Sequence, residues 1–95
     1  MITNLYQLNF DLRQLRTFLT IAQTLSFRKA AEQLHIAQPA LSRQIAQLED
    51  ALECQLFDRQ KRQIKLTDAG QFLLDELPTL FENLSTIAER TTAIA

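Results

Sequence analysis

Five neighbouring residues carry side chains that can read the edges of nucleic-acid bases. They are Gln38, Pro39, Ala40, Ser42 and Arg43. A glutamine amide can pair bidentately with adenine and an arginine guanidinium with guanine, while small apolar groups contact the thymine methyl group. To act together, these side chains must lie on one exposed face of an element that enters the major groove. The spacing therefore predicts a helix whose exposed face reads the bases of double-stranded DNA.

A second group of residues is cationic. Arg59, Lys61, Arg62 and Lys65 place four cations within seven residues. On a hairpin that follows the base-reading element, such a cluster can reach the DNA backbone or the minor groove. For Lys61 and Arg62, a solvated turn is the alternative.

The chain offers little else for chemistry. It has one His, one Cys and one Gly, with no convergent acid–base set and no phosphate-cradling loop. The single Cys54 excludes an internal disulfide framework and a cysteine-based zinc site. We predict that the chain is not an enzyme and that it holds no metal and no cofactor.

The overall charge is an objection to a nucleic-acid partner. A DNA-binding domain usually has an isoelectric point above about 9, whereas this chain has a net charge of −1 and an isoelectric point near 5.7. The charges are separated along the chain, however. Residues 1–65 carry a net +3 and residues 66–95 a net −4. The objection weakens because the acidic part is not the part that carries the base-reading residues.

Composition indicates a small, mostly α-helical domain. The 95 residues include 17 Leu and seven Ile but no Val, with one Gly and two Pro. Leucine favours helices, and a Gly-poor, Val-free chain is unsuited to a β-sandwich or barrel. No apolar run exceeds three residues, so we expect no membrane span and a cytoplasmic protein.

Apolar spacing predicts three helices before residue 53. Asp11 can cap a first helix with apolar residues at positions 12, 15, 18, 19, 22 and 25, and Ser26 can cap a second. After a break of about three residues, 35–37, Pro39 suits the first turn of a third helix. The order helix, tight turn, helix is that of a helix-turn-helix unit, whose second helix enters the major groove.

Two short stretches, 56–58 and 64–66, then predict a small two-stranded hairpin. Thr67 can cap a final helix with a heptad seam, spanning about 40 Å. The apolar members of that seam are Leu73, Leu77, Leu80, Leu84, Ile87 and Ile94. A stripe beside it repeats at positions 74, 81, 88 and 95, so one stripe can pack on the domain while the other meets a second chain. Pro78 leaves open that this segment is two helices.

Six motifs occur in order between residues 11 and about 70, and together they resemble the opening of the LysR-type transcriptional regulators. They are LRQLRTF (12–18), SFRKAAEQL (26–34), AQPALSRQI (37–45), LE (48–49), LFDR (56–59) and LTDAG (66–70). The resemblance implies a winged helix-turn-helix over 11–66, after a lead-in over 1–10, and a linker helix over 67–95. The fold class is thus mainly α, with three helices, a β-hairpin wing and a long dimerisation helix.

The resemblance also implies functional roles. Residues matching Gln38, Pro39, Ala40, Ser42 and Arg43 face base edges, and the wing arginine matching Arg62 reaches toward the minor groove. Residues matching Ser26, Arg28, Gln44 and Arg59 lie near phosphates. A homodimer through antiparallel linker helices would read an interrupted inverted repeat, with a higher oligomer in the full-length regulator. Family members bind a small co-inducer in a C-terminal effector domain, which we expect to be absent from these 95 residues. The expected location is the bacterial cytoplasm, at the nucleoid.

Two departures from the family pattern concern helix ends. Glu53 stands where the family usually has glycine, so the third helix must end without the usual left-handed glycine. Ala37 stands where serine or threonine often precedes the Gln-Pro pair, which removes a cap. A rival function is a helical dimerisation or adaptor module that uses the helix-turn-helix only as a scaffold. In that case the basic residues of the hairpin and third helix would be dispensable for partner binding.

Overall fold

The computed structural model describes residues 8–60 and 63–95 as four helices and one antiparallel hairpin. In chain order the elements are α1 (Leu12–Thr24), α2 (Phe27–Leu34), α3 (Gln38–Leu52), β1 (Phe57–Asp58), β2 (Lys65–Leu66) and α4 (Asp68–Ile94). This order confirms the fold class. Most of the lead-in, 1–7, and the predicted wing residues Lys61 and Arg62 lie outside the described residues.

The predicted caps start three of the helices. Asp11 forms a capping box, because its carboxylate accepts the Gln14 N–H at 2.9 Å and its own N–H donates to Gln14 Oε1 at 3.1 Å. Ser26 accepts the Lys29 N–H at 3.1 Å, and Thr67 accepts the Gly70 N–H at 3.0 Å. These local contacts fix where α1, α2 and α4 begin.

The other helix ends depend on backbone conformation. Leu25, His35 and Glu53 end α1, α2 and α3, and each adopts the left-handed conformation with φ between 52° and 57°. Glu53 therefore takes the conformation that the family usually gives to glycine. Ala37 makes no side-chain cap to α3, as expected, and Pro39 lies in the first turn of that helix.

The core lies where α1, α2, α3 and the hairpin meet. Its largest fully buried side chains are Phe18, Phe57, Ile21, Leu41, Ile45, Leu48 and Leu56. Phe57 contacts Phe18 and Phe27, with ring centroids 5.3 and 5.9 Å apart. Leu12 and Leu25, which the periodicity assigned to the buried face of α1, flank its two ends and are half exposed.

The hairpin is shorter than predicted. Phe57 pairs with Leu66 and Asp58 with Lys65, so each strand has two residues instead of three. Leu56 lies just before β1, where its N–H donates to the Glu49 carboxylate and its carbonyl accepts the Thr67 N–H. The hairpin is therefore anchored to α3 and to the start of α4.

The last segment is one helix of 27 residues that continues through Pro78. The two-helix alternative is therefore wrong. Pro78 is exposed, and although a proline inside a helix removes one hydrogen bond and crowds the carbonyl four residues earlier, α4 continues on both sides of it. Among the described residues, neither α4 nor any other helix is long and apolar enough to cross a membrane.

The first half of α4 packs on the core. Leu77 is only 2% exposed, and Leu73, Leu74 and Phe81 pack against the same cluster. Gly70 lies so close to the hairpin that a Cβ atom there would stand 2.1 Å from the Leu56 carbonyl oxygen. From residue 85 to the end, every residue is exposed.

Candidate nucleic-acid interface

The third helix has two chemically different faces. One face inserts Leu41, Ile45 and Leu48 into the core, where all three are fully buried. The other face, at the N-terminal end, presents the predicted base-reading residues. Of these, Gln38, Pro39, Ser42 and Arg43 are exposed and Ala40 is half-buried. The structure thus brings the five residues together on one accessible surface, which we call the α3 face.

The tight turn before α3 sets the position of this face. His35 ends α2 in the left-handed conformation, its N–H donates to the Glu32 carbonyl, and the Ile36 N–H donates to the Ala31 carbonyl. α3 starts directly afterwards, at Gln38. The predicted break at 35–37 is confirmed, and it leaves the first turn of α3 uncovered.

Two residues predicted to lie near phosphates stand at the start of α2. The Ser26 hydroxyl accepts the Lys29 N–H, which leaves its own proton available to donate to another group. Arg28 pairs with Glu32 through Nη1 and Oε1 at 2.8 Å, and the two side chains are 65% and 64% exposed. An ion pair this exposed contributes little to stability, so Arg28 can exchange its partner for a phosphate at small cost.

Gln44 is the third of these residues and is half-buried on α3. Its Oε1 accepts a hydrogen bond from the Thr17 hydroxyl at 2.6 Å. This contact orients the amide so that its NH₂ group is the part left to donate. Thr17 is itself buried, and sequence reasoning had treated it only as part of a motif.

A shallow groove joins these surfaces. It has a volume of about 490 Å³ and runs from the start of α2 past the start of α3 to the returning half of the hairpin. Its lining includes Ser26, Arg28, Gln38, Gln63 and Ile64. Residues separated by up to 39 positions in the chain therefore share one concave surface of polar and apolar side chains beside the α3 face.

Arg59 lies in a different environment from the other predicted phosphate residues. Its Nη2 donates to Glu49 Oε1 at 3.0 Å, and its guanidinium lies 5.5 Å from the centre of the Phe27 ring. Nη1 donates to Gln55 Oε1 at 3.3 Å. The side chain is thus held within the chain rather than directed only toward solvent.

Glu49 belongs to this site although the sequence motifs do not identify it as functional. It is 4% exposed and accepts three hydrogen bonds. A signal was present, because Glu49 follows Ile45 by four positions and so falls on the buried face of α3. A charged residue at such a position indicates a buried partner.

The predicted dimerisation residues separate into two groups. Leu73 and Leu77 pack within the chain, and Leu84 is half-buried. Leu77 differs from the expectation that it faces a second chain, because the core of its own chain already covers it. Leu80, Ile87 and Ile94 are exposed, the last two by 60% and 85%.

Comparison with known proteins places this geometry in context. Residues 12–71 match the family described as bacterial regulatory helix-turn-helix protein, lysR family. The chain is 49% identical over 84 residues, or 88% of its length, to the HTH-type transcriptional regulator CatR of Pseudomonas putida. It is 42% identical over 85 residues, or 90% of its length, to the regulator BenM of Acinetobacter baylyi. The chain spans 28% of the length of each relative.

Solved structures show the same fold. The BenM DNA-binding domain in complex with catB site 1 DNA has a TM-score of 0.84 and 42% identity, over 90% of this chain and 97% of that one. The CbnR DNA-binding domain in complex with DNA has a TM-score of 0.84 and 34% identity, over 90% and 99%. Full-length BenM aligns with a TM-score of 0.85, over 90% of this chain and 28% of that one.

Proposed function

The chain belongs to the lysR family of bacterial regulatory helix-turn-helix proteins, and from that premise we propose that it binds double-stranded DNA sequence-specifically as the DNA-binding part of a transcriptional regulator. The observation that carries the proposal is the two-faced third helix. Its apolar face holds it in the core, while its other face offers Gln38, Ser42 and Arg43 to base edges. That function would place the protein at the nucleoid, in the cytoplasm.

The DNA complexes of relatives support this assignment. This chain aligns with almost the whole length of the BenM and CbnR DNA-binding domains, and both of those domains were solved with DNA bound. The shared part is the helix-turn-helix, the hairpin and the linker helix. In the proposed mechanism, α3 enters the major groove while Ser26, Arg28 and Gln44 contact the phosphates that flank it.

We further propose that two copies act together through α4. The second half of that helix leaves Ile87 and Ile94 exposed, and a second helix could cover them. A two-fold dimer would place two α3 faces in successive major grooves, roughly 34 Å apart, and would read an interrupted inverted repeat. The chain spans 28% of CatR, and we propose that the co-inducer-binding effector domain implied by the family resemblance belongs to the rest of such a regulator.

Titration of the chain onto duplex DNA at several salt concentrations tests the proposal first. Each phosphate neutralised contributes about −0.9 to the slope of log K against log salt concentration. We expect a slope that corresponds to several phosphates. An affinity that does not change with salt, or no duplex binding at all, would favour the adaptor alternative.

Arg43→Ala tests the α3 face specifically. A bidentate contact to one guanine predicts a loss of about 1–3 kcal/mol at one base-pair position, with other positions unaffected. The matched control is Arg16→Ala, which removes the same charge from an exposed position on α1, outside the α3 face. An equal loss on every sequence would instead assign Arg43 to a phosphate.

A further inference from the structure

We propose that Arg59 is a positioning residue that acts through the buried Glu49 to fix the wing against α3, and that it is not a phosphate ligand. The inference rests on the proposed function, because its consequence is measured as DNA affinity. It concerns the group formed by Glu49, Arg59 and Phe27, which we call the wing brace.

Glu49 is the centre of the wing brace. It belongs to α3, six residues after Arg43, and its carboxylate is buried. Oε2 accepts the Leu56 N–H at 2.7 Å and the Phe57 N–H at 3.3 Å, while Oε1 accepts Arg59 Nη2 at 3.0 Å. One side chain of α3 thus holds both the backbone at the start of β1 and Arg59, which follows β1.

Arg59 completes the connection to α2. Its guanidinium stands over the Phe27 ring at 5.5 Å, a cation–π arrangement, while Phe27 packs edge-on against Phe57. Gln55 accepts a further hydrogen bond from Nη1. The guanidinium is therefore bound on several sides by α2, α3 and the loop before β1.

The charge of Arg59 is matched within the chain. Glu49 lies at ion-pair distance, and no other cation of the described residues contacts that carboxylate. Moving Arg59 to a phosphate would leave Glu49 buried and unpaired, which is costly. Phosphate binding by Arg59 is thus opposed by the geometry, whereas the exposed Arg28–Glu32 pair carries no such penalty.

The position of Arg59 in the chain gives the brace its consequence for DNA. It follows β1 directly, where the chain departs toward the hairpin tip. If the brace is lost, β1 and Arg59 are no longer held against α3. Contacts made by the wing should then weaken even though the base-reading side chains are unchanged.

Glu49→Gln is the decisive substitution, because Glu49 is buried and cannot touch DNA. The glutamine oxygen can still accept the two backbone N–H groups, but its NH₂ group then faces the Arg59 guanidinium as donor against donor. We expect duplex affinity to fall about tenfold, within the range seen for residues of one network. If Arg59 were a phosphate ligand, removing its internal counter-charge would leave affinity unchanged or raise it.

A double-mutant cycle with Arg59→Met separates the two roles further. The wing brace predicts that the double variant, Glu49→Gln with Arg59→Met, binds DNA no more weakly than the weaker-binding of the two single variants. Either substitution alone already breaks the brace. Independent contributions would make the two losses multiply. The matched control cycle is Arg13→Met with Asp11→Asn, an exposed pair outside the proposed DNA contacts, for which we expect no such coupling.

Arg59→Lys keeps the charge but loses the planar fork that donates to Glu49 and Gln55. The wing brace predicts that lysine does not restore affinity, whereas a phosphate ligand would be largely restored. Thermal unfolding of each variant shows whether it is folded at the temperature of the binding assay. If Glu49→Gln fails to fold, Arg59→Lys and Arg59→Met carry the test, because Arg59 is half exposed.

All these assays use a duplex that the unsubstituted chain binds, together with a shorter duplex that ends before the flank reached by the wing. The brace predicts losses on the long duplex that disappear on the short one. If the Glu49→Gln variant binds both duplexes as tightly as the unsubstituted chain, the inference is overturned. Failure of the unsubstituted chain to bind any duplex would instead overturn the proposed function.

Discussion

The two halves of α4 share one continuous helix and one seven-residue apolar repeat, yet their surroundings differ. In the first half, Leu77 is buried and Leu73 and Phe81 pack against the core. In the second half, Ile87 and Ile94 repeat the heptad position of Leu73 and are exposed. The periodicity identifies which face of a helix is apolar, but it does not identify what covers that face.

The difference assigns separate roles to the two halves. Burial of the first half stabilises the folded chain itself, since removing apolar surface from water is the main driving force for folding. Burial of the second half requires something outside the described chain. Substitutions in the first half should therefore change the free energy of unfolding, and those in the second half should change association.

Leu77→Ala should produce the largest effect. It removes a buried side chain and leaves a cavity, so we expect the free energy of unfolding to fall by about 2–5 kcal/mol. Urea denaturation followed by circular dichroism measures this loss. The matched control is Ile87→Ala in the second half, where the side chain is 60% exposed, and we expect a smaller loss there. Equal losses at the two positions would contradict the division of α4.

Gly70→Ala should follow, with a loss of about 3 kcal/mol, the upper end for an overpacked site. The added Cβ would overlap the Leu56 carbonyl oxygen, a backbone atom that cannot turn aside. Helix propensity alone predicts the opposite sign, a gain of about 1 kcal/mol. Denaturation of Gly70→Ala beside the exposed control Ala69→Gly decides between them, and a more stable Gly70→Ala chain would refute the close packing.

Ile87→Asp should have the smallest effect on folding and a clear effect on association. In a two-fold dimer both protomers contribute Ile87 to the interface, so one substitution places two charges there. We therefore expect the dimer dissociation constant to rise at least about tenfold. Sedimentation equilibrium measures this change. Ser85→Asp adds the same charge two residues away, on the opposite face of the exposed half, and serves as the control. An Ile87→Asp chain that dimerises like the control would show that the seam is not the interface.

The local features were predictable from the sequence because neighbouring residues determine them. Asp11, Ser26 and Thr67 cap their helices through contacts within three residues. The start of α3 followed from Pro39 and from the break before it. The α3 face then followed from helical spacing, because the buried residues Leu41 and Ile45 fix which side of the helix is left exposed.

The features that sequence reasoning missed depend on contacts distant in the chain. Glu49 lies on α3 and Arg59, ten residues later, follows β1, so no helical or strand period relates them. The hydrogen bond from the Leu56 N–H to Glu49 joins the start of the hairpin to α3, which a pattern of alternation cannot show. Leu77 lies in the predicted seam, but its burial depends on how α4 docks on the core.

In the proposed dimer, two α3 faces held together by the second half of α4 read DNA in a fixed arrangement. Selection of bound duplexes from a random pool tests this arrangement. We expect enrichment of an interrupted inverted repeat whose half-sites lie on one side of the duplex. Enrichment of a single half-site would contradict the dimer, and no enrichment at all would contradict sequence-specific binding.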